Sequence, residues 1–320
     1  MTEQLNVQQM AERLCAADNI LVLCHKNPDG DTIGCGSALC HALKALGKTA
    51  AVLCSDAVPS RYSFTAPVPF RGEFEPKTVV AVDVASVQLF GENNGVPQYT
   101  RHVDLCIDHH AGNSGYADFT LLDGNAAAAA ELLYEVIGEM GVEITPLIAN
   151  CLYTGLATDT GCFRFNNTTA DTLRCAAACK DTGADTFAIN TALFMTKRLP
   201  RLQLEARLTE KMEFYAGGAV AVNTLPNVLL VELGLTEDDV DDISGFSREI
   251  AGVEIGVMLR EGPDGGKISL RCSPKYDAAA ICARLGGGGH RGAAGASVPE
   301  GLDAAKKAIL QAIADSGVEL

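Results

Sequence analysis

Ile20-Leu-Val-Leu-Cys-His25-Lys-Asn-Pro-Asp29-Gly-Asp31 decides the fold of this 320-residue chain. An uninterrupted apolar run ends in a histidine and two carboxylates, and a helical pattern from Thr32 to Leu46 follows at once. A strand buried on both faces reads as a continuous apolar run, and a strand that feeds a helix is half of a βα unit around a parallel sheet. The pattern repeats outward from this stretch. Thr49 to Cys54, Val79 to Asp83 and Val103 to Asp108 read as further strands, and Ala126 to Met140, Thr145 to Leu156 and Ala170 to Thr182 as helices. Thr145 followed by Pro146 is a cap and first-turn pair, and the alanines of 126–130 simply propagate a helix.

Further along, a charged segment from Thr196 to Tyr215 with spaced Leu199, Leu202, Leu208 and Met212 reads as a linker helix. Beyond it Val220, Val228 to Leu233, Val253 to Leu259 and Lys267 to Cys272 read as strands of a second sheet, with helices near Thr236 to Asp242, Asp277 to Leu285 and Leu302 to Ala314. The expected fold class is therefore α/β. It comprises an N-terminal doubly wound, mostly parallel sheet domain over residues 1–190, a linker helix over 191–215, and a smaller C-terminal α/β domain over 216–320. A chain of this length suits two cores better than one.

Composition narrows the function classes. The formal net charge is −15, whereas affinity for a long nucleic-acid backbone comes from many Lys and Arg neutralising phosphates; any nucleic-acid partner is expected to be short. One island departs from this, since residues 267–291 carry Lys267, Arg271, Lys275, Arg284 and Arg291 against Asp277 alone. No apolar run suits a signal peptide or a membrane span, so a cytoplasmic protein without a membrane partner is expected. The twelve cysteines lack any C-x-x-C pair and read as free thiols in a reducing compartment.

The chemistry gathers at strand ends, where ligands bind in open α/β sheets. The first strand delivers His25, Asp29 and Asp31; the third delivers Asp83; the fourth delivers Asp108, His109 and His110; and Asp159 stands where a helical pattern yields to Gly161. Taken singly each has an ordinary explanation: Asp-Gly-Asp as a turn, Asp83 as a helix cap, the histidine pair as one core and one surface residue. Taken together, four carboxylates in one crevice repel unless protonated or neutralised, and two divalent ions balance them. Carboxylates outnumber imidazoles and no thiolate lies in the motifs, which favours manganese over zinc, with magnesium or cobalt as alternatives. Such a pair forms a clamp for in-line attack at phosphorus, with a hydroxide available near neutral pH.

In the C-terminal region Gly286-Gly-Gly-Gly289-His290-Arg291 allows backbone amides to approach an anion closely. A bare glycine run is also the composition of a flexible loop. The neighbouring His290, Arg291, Arg271 and Ser273 favour the anion site, and Lys267 and Lys275 read as solvated.

His25-x3-Asp29-x-Asp31, Asp83, Asp108-His109-His110 and Asp159 resemble the four motifs of the DHH phosphoesterase family, and Gly286 to Gly295 resembles the substrate signature of its associated C-terminal domain. The resemblance spans nearly the whole chain. It implies that His25, Asp29 and Asp83 hold one metal, that Asp31, Asp83, His109 and Asp159 hold the other with Asp83 bridging, and that the catalytic residues are Asp83 and His110, the latter facing the scissile phosphate. Asp108 would orient its neighbours. Arg271, Ser273, Gly288, Gly289, His290 and Arg291 would bind the substrate's phosphate or nucleotide, with the two domains closing over it. One departure is Cys35, where a serine is expected. The stand-alone two-domain form is similar to the nanoRNase type, whose members degrade oligonucleotides of a few residues and often dephosphorylate 3'-phosphoadenosine 5'-phosphate. The expected partner is thus a small nucleotide or a short single-stranded RNA or DNA, the alternative being a cyclic di-AMP or linear dinucleotide phosphodiesterase, and a homodimer is compatible with either. A pyrophosphatase would need a Ser-Arg-Lys-Lys type signature that is absent here.

Overall fold

The computed structural model describes residues 2–262 and 265–319. The chain divides into two compact units, Met1–Thr196 and Lys197–Leu320.

The first unit is built on a sheet of β1 (Glu3–Gln4), β2 (Ile20–Leu23), β3 (Ala50–Leu53), β4 (Thr78–Val82), β5 (Leu105–Asp108) and β6 (Phe119–Leu122), in the order β1-β6-β5-β4-β2-β3. Every pairing is parallel. Strands are added to one side of β2 by β3 and to the other by β4, β5 and β6, so the winding direction reverses between β2 and β4. A crevice at the carboxyl ends of the strands opens at such a switch point.

Side-chain alternation explains the continuous apolar runs. Ile20 and Val22 of β2 face a core shared with α1 (Val7–Ala16), α2 (Gly30–Ala45), α3 (Ala129–Glu139), α4 (Pro146–Asp159) and α5 (Ala170–Asp181). Leu21 and Leu23 face the opposite layer with Phe90, Val96, Val103 and Ala117. That layer is made of short 3-10 turns at Val87–Leu89 and Val96–Gln98 rather than helices, in a stretch where glycine, asparagine and proline interrupt any helical pattern.

The second unit carries β7 (Glu213–Tyr215), β8 (Val220–Leu225), β9 (Ile255–Gly262), β10 (Gly265–Cys272), β11 (Gly288–His290) and β12 (Ala293–Val298) in the order β11-β12-β10-β9-β8-β7. Only β8 and β9 run parallel. Its helices follow the short α6 (Thr186–Asn190) of the first unit: α7 (Leu199–Glu210), α8 (Asn227–Leu233), α9 (Ala278–Ala283) and α10 (Leu302–Ala314). One core lies between the sheet and α9 and α10; another lies among α7, α8 and the segment Asp241–Arg248.

Four expectations are corrected here. The strand expected over Val228 to Leu233 is the helix α8: Leu229 and Leu230 are buried while Val228 and Val231 are exposed, and Gly234 ends it in a left-handed cap at φ 62°. The linker helix expected over Thr196 to Tyr215 stops at Glu210, buries Leu204 and Leu208 rather than Leu199 and Leu202, and is followed by β7 paired antiparallel to β8. The helix expected near Thr236 to Asp242 is a run of 3-10 turns, Glu237–Asp239 and Asp241–Arg248. The helix expected from Ala126 begins at Ala129, where the Asp31 carboxylate receives its first amides. Among the described residues no helix is long and apolar enough to cross a membrane, and all twelve cysteines are free thiols.

Candidate metal centre

The turn after β2 does two things at once. Asp29 caps α2, its Oδ1 accepting from the amides of Asp31 (3.0 Å) and Thr32 (3.1 Å), and the same oxygen lies 3.4 Å from His25 Nε2. Asp29 is therefore both a helix cap and a candidate ligand. One residue into α2, Asp31 is fully buried and receives the amides of Ala129 (2.6 Å) and Ala130 (3.1 Å). It thus caps α3 from across the core, since Ala128 at the N-cap position has no capping side chain. The alanine run starts its helix only where Asp31 meets it.

Asp83 follows β4 in a left-handed backbone conformation, φ 58°, which is uncommon and strained for a residue other than glycine. Its side chain is 2 % exposed. Asp83 Oδ2 lies 3.6 Å from His25 Nε2, and Oδ1 lies 3.4 Å from His109 Nε2 and 3.5 Å from His110 Nδ1. At the end of α4, Asp159 Oδ2 lies 3.2 Å from His109 Nε2. Three triads of donor atoms, each within 4.8 Å of one another, result: His25, Asp29, Asp83; Asp83, His109, His110; and Asp31, His109, Asp159.

The imidazoles are oriented for this. His25 Nδ1 donates to the carbonyl of Lys26 (2.8 Å) and His109 Nδ1 to that of Ala126 (3.1 Å), which turns both Nε2 atoms toward the carboxylates. A carbonyl behind an imidazole is the usual support of a metal-binding histidine. His110 differs, because its Nδ1 donates to Asp108 (2.8 Å). The other oxygen of Asp108 accepts from Asn113 Nδ2 at 2.6 Å, and Asn113 Oδ1 accepts from the Gly115 amide. Asn113 was not singled out in the sequence; the turn composition of residues 112–115, with Asn three positions after His110, was the available signal.

Charge is unbalanced in this cluster. Burial disfavours the charged form of His25, but hydrogen bonds to Asp29 and Asp83 outweigh it and raise the imidazole to about 11. Burial is likewise outweighed at His109 by Asp159 and Asp83, which raise it to about 12. Burial, then Asp83 and Asp159, push Asp31 well above the usual carboxylate range, and burial pushes Asp159 to about 7. The residues fit divalent cations on a second count: among the described residues, buried Asp83 Oδ1 and His109 Nε2, though close, make no well-aligned hydrogen bond. Their 3.4 Å separation is that of two atoms bound at about 2.1 Å to one ion, which stand roughly 3.0–3.5 Å apart. Cys35 donates its thiol to Asp31 Oδ1 at 3.3 Å, so a side-chain contact exists at the position of the departure. Burial raises that thiol well above its ordinary value.

The C-terminal residues stand in the second unit. Arg271, near the end of β10, donates to Ser244 Oγ (2.8 Å) and to the carbonyl of Leu270, and burial lowers its pKa. Among the described residues no carboxylate pairs with it, which leaves a half-buried cation open to an anion. Ser273 is buried, its amide donating to the Glu254 carbonyl. Residues 286–289 are not a loose loop, for Gly288–His290 is the edge strand β11 on β12. At Gly287 a Cβ would meet the Gly295 carbonyl oxygen at 2.1 Å, whereas at Gly288 it would meet open space. Gly288, Gly289, His290 and Arg291 are all exposed.

Residues 19–156 match the family model described as DHH family, N-terminal domain, and residues 217–315 that of the DHHA1 domain. The chain is 34% identical over 313 residues to the "Bifunctional oligoribonuclease and PAP phosphatase NrnA" of Thermus thermophilus, covering 95% of this chain and 92% of that one. It is 25% identical to the protein of the same name from Bacillus subtilis, covering 88% and 90%. Its fold is like that of an exopolyphosphatase-related protein from Bacteroides fragilis, with a TM-score of 0.86 at 23% identity over 97% and 96% of the two chains.

Proposed function

The chain belongs to the DHH family of phosphoesterases, and from that premise we propose that it hydrolyses oligonucleotides of a few residues and 3'-phosphoadenosine 5'-phosphate with a pair of manganese ions. The observation that carries this reading is Asp83, whose two oxygens lie within 3.6 Å of His25 on one side and of His109 on the other, in a chain whose 34% identical relative is named for both activities.

In this reading His25, Asp29 and Asp83 hold one ion, and Asp31, Asp83, His109 and Asp159 the other. When bound, the pair supplies charge neutralisation, an acidified water and electrophilic pull on the phosphoryl oxygens. The protein supplies the rest. Asp83 ties the two halves of the site together, and the carbonyls of Lys26 and Ala126 hold the imidazoles to one tautomer. His110, whose imidazole is raised by its hydrogen bond to Asp108, presents its Nε2 side to a phosphate oxygen and stabilises charge developing there or on the leaving oxygen. Arg271, Ser273, His290 and Arg291, with the open backbone at Gly288 and its neighbour Gly289, bind a terminal phosphate.

The deciding experiment compares turnover, in manganese buffer, of a 5'-phosphorylated RNA dinucleotide and 3'-phosphoadenosine 5'-phosphate with that of cyclic di-AMP. Faster turnover of the first two is expected. Preference for the cyclic compound would overturn the substrate assignment, and indifference to removal of divalent metal would overturn the site.

A further inference from the structure

The loop after Asp159 is stiffer than the placement of one carboxylate requires. Gly161, Cys162 and Phe163 take left-handed conformations in succession, φ 56°, 58° and 62°, an arrangement strained for the second and third. Thr160 holds them: its Oγ1 accepts from the Phe163 amide at 2.9 Å, and its carbonyl accepts from the amides of Arg164 and Phe165, each at 2.9 Å. Asn167 Nδ2 then donates to the carbonyls of Asp159 (3.0 Å) and Ala127 (3.2 Å). The loop is thereby tied to the same backbone that orients His109 through Ala126.

What this holds in place is an aromatic ring that stays largely exposed. Phe165 lies on Gly161, where an added Cβ would meet ring carbons at 2.4–2.7 Å, yet it remains 57% exposed. Beside it Arg164 is fixed by its Nε to the Gly161 carbonyl at 2.5 Å, and among the described residues no carboxylate pairs with its terminal nitrogens. A single exposed apolar side chain is ordinary, but successive left-handed residues that fix one in place are not, and such strain gathers at functional sites. A ligand with a flat face and an anionic group beside it gives the arrangement a use.

We propose that Phe165 is a stacking platform for a base of the nucleotide whose phosphate is cleaved, with Arg164 binding the adjoining sugar-phosphate. This rests on the nucleotide-hydrolase reading above and adds the part of the site that recognises the base. Every base has a π face, so the platform accepts short oligomers of any sequence.

The test uses the full chain in manganese buffer and compares wild type, Phe165→Ala and Phe165→Tyr on a 5'-phosphorylated RNA dinucleotide and on its two analogues with one base or the other removed. Loss of the ring is expected to lower kcat/KM on the intact dinucleotide about 10- to 100-fold, mostly through KM, and tyrosine to restore it. On the analogue lacking the stacked base, wild type and Phe165→Ala should be equal. Equal activity of both on the intact dinucleotide, or the same loss on all three substrates, would overturn the platform while leaving the enzyme reading intact. Wild-type inactivity on every nucleotide would instead overturn that reading, and the platform with it.

Discussion

Asp83 differs from the other carboxylates of the centre in its backbone, for it alone among them combines a left-handed φ with a buried oxygen that, among the described residues, has no hydrogen-bond partner. Asn tolerates that conformation better than alanine does, so Asp83→Asn removes the charge with little strain. We expect turnover to fall at least about 1000-fold with an unchanged circular dichroism spectrum; substantial residual activity in the folded variant would remove Asp83 from the bridge. The proton balance gives a second prediction. Without metal His25 and His109 are raised to about 11 and about 12 and are therefore protonated at neutral pH, whereas a ligand imidazole must be neutral. Each entering ion displaces a proton, so apparent manganese affinity should strengthen as pH rises, about tenfold per pH unit for every proton displaced. Asp159, raised to about 7, adds to this slope below that pH. Metal titrations at pH 6, 7 and 8 check it, and a flat affinity would count against these ligands. All of the proposed ligands were legible in the sequence because each stands at the end of a strand or helix pattern. Asn113, Phe165 and Ser244 were not, because their roles depend on which loops meet.

At the level of elements, α2 and α4 approach closely across small residues. A Cβ at Gly155 would stand 2.3 Å from Asp31 Oδ1 and 2.8 Å from the Ala130 Cβ. Gly155→Ala ordinarily favours a helix, but here overpacking should win: we expect a loss of about 1–3 kcal/mol in urea unfolding together with at least a tenfold loss of turnover, about 1.4 kcal/mol of activation free energy. Loss of stability without loss of activity would separate the helix contact from Asp31. The elements that sequence reasoning recovered are those buried on both faces, such as β2 and β4, whose apolar runs are continuous. Among the strands it missed are some poor in β-branched residues or too short to show a period. Ala293–Val298 and Gly288–His290 are strands of alanine and glycine that only their pairing identifies. Val228 to Leu233 was misread because a short apolar run fits a strand or a helix equally well; the flanking Pro226 and Gly234 were the signal that favoured a helix.

For the molecule as a whole, a net charge of −15 coexists with Arg271 in one unit and Arg164 in the other, neither paired with a carboxylate among the described residues, so cations are kept at the places where an anion is expected to bind. The same division between support and chemistry runs through the carboxylates. Asp29 caps α2 and Asp31 caps α3, so both would be retained by selection for folding alone in a descendant that no longer turned anything over. Among the described residues Asp83 caps no helix, and its strained backbone makes it costly to keep. Among diverging copies of this chain, Asp29 and Asp31 therefore report that the domain still folds, and Asp83 is the letter whose loss would mark a silent copy.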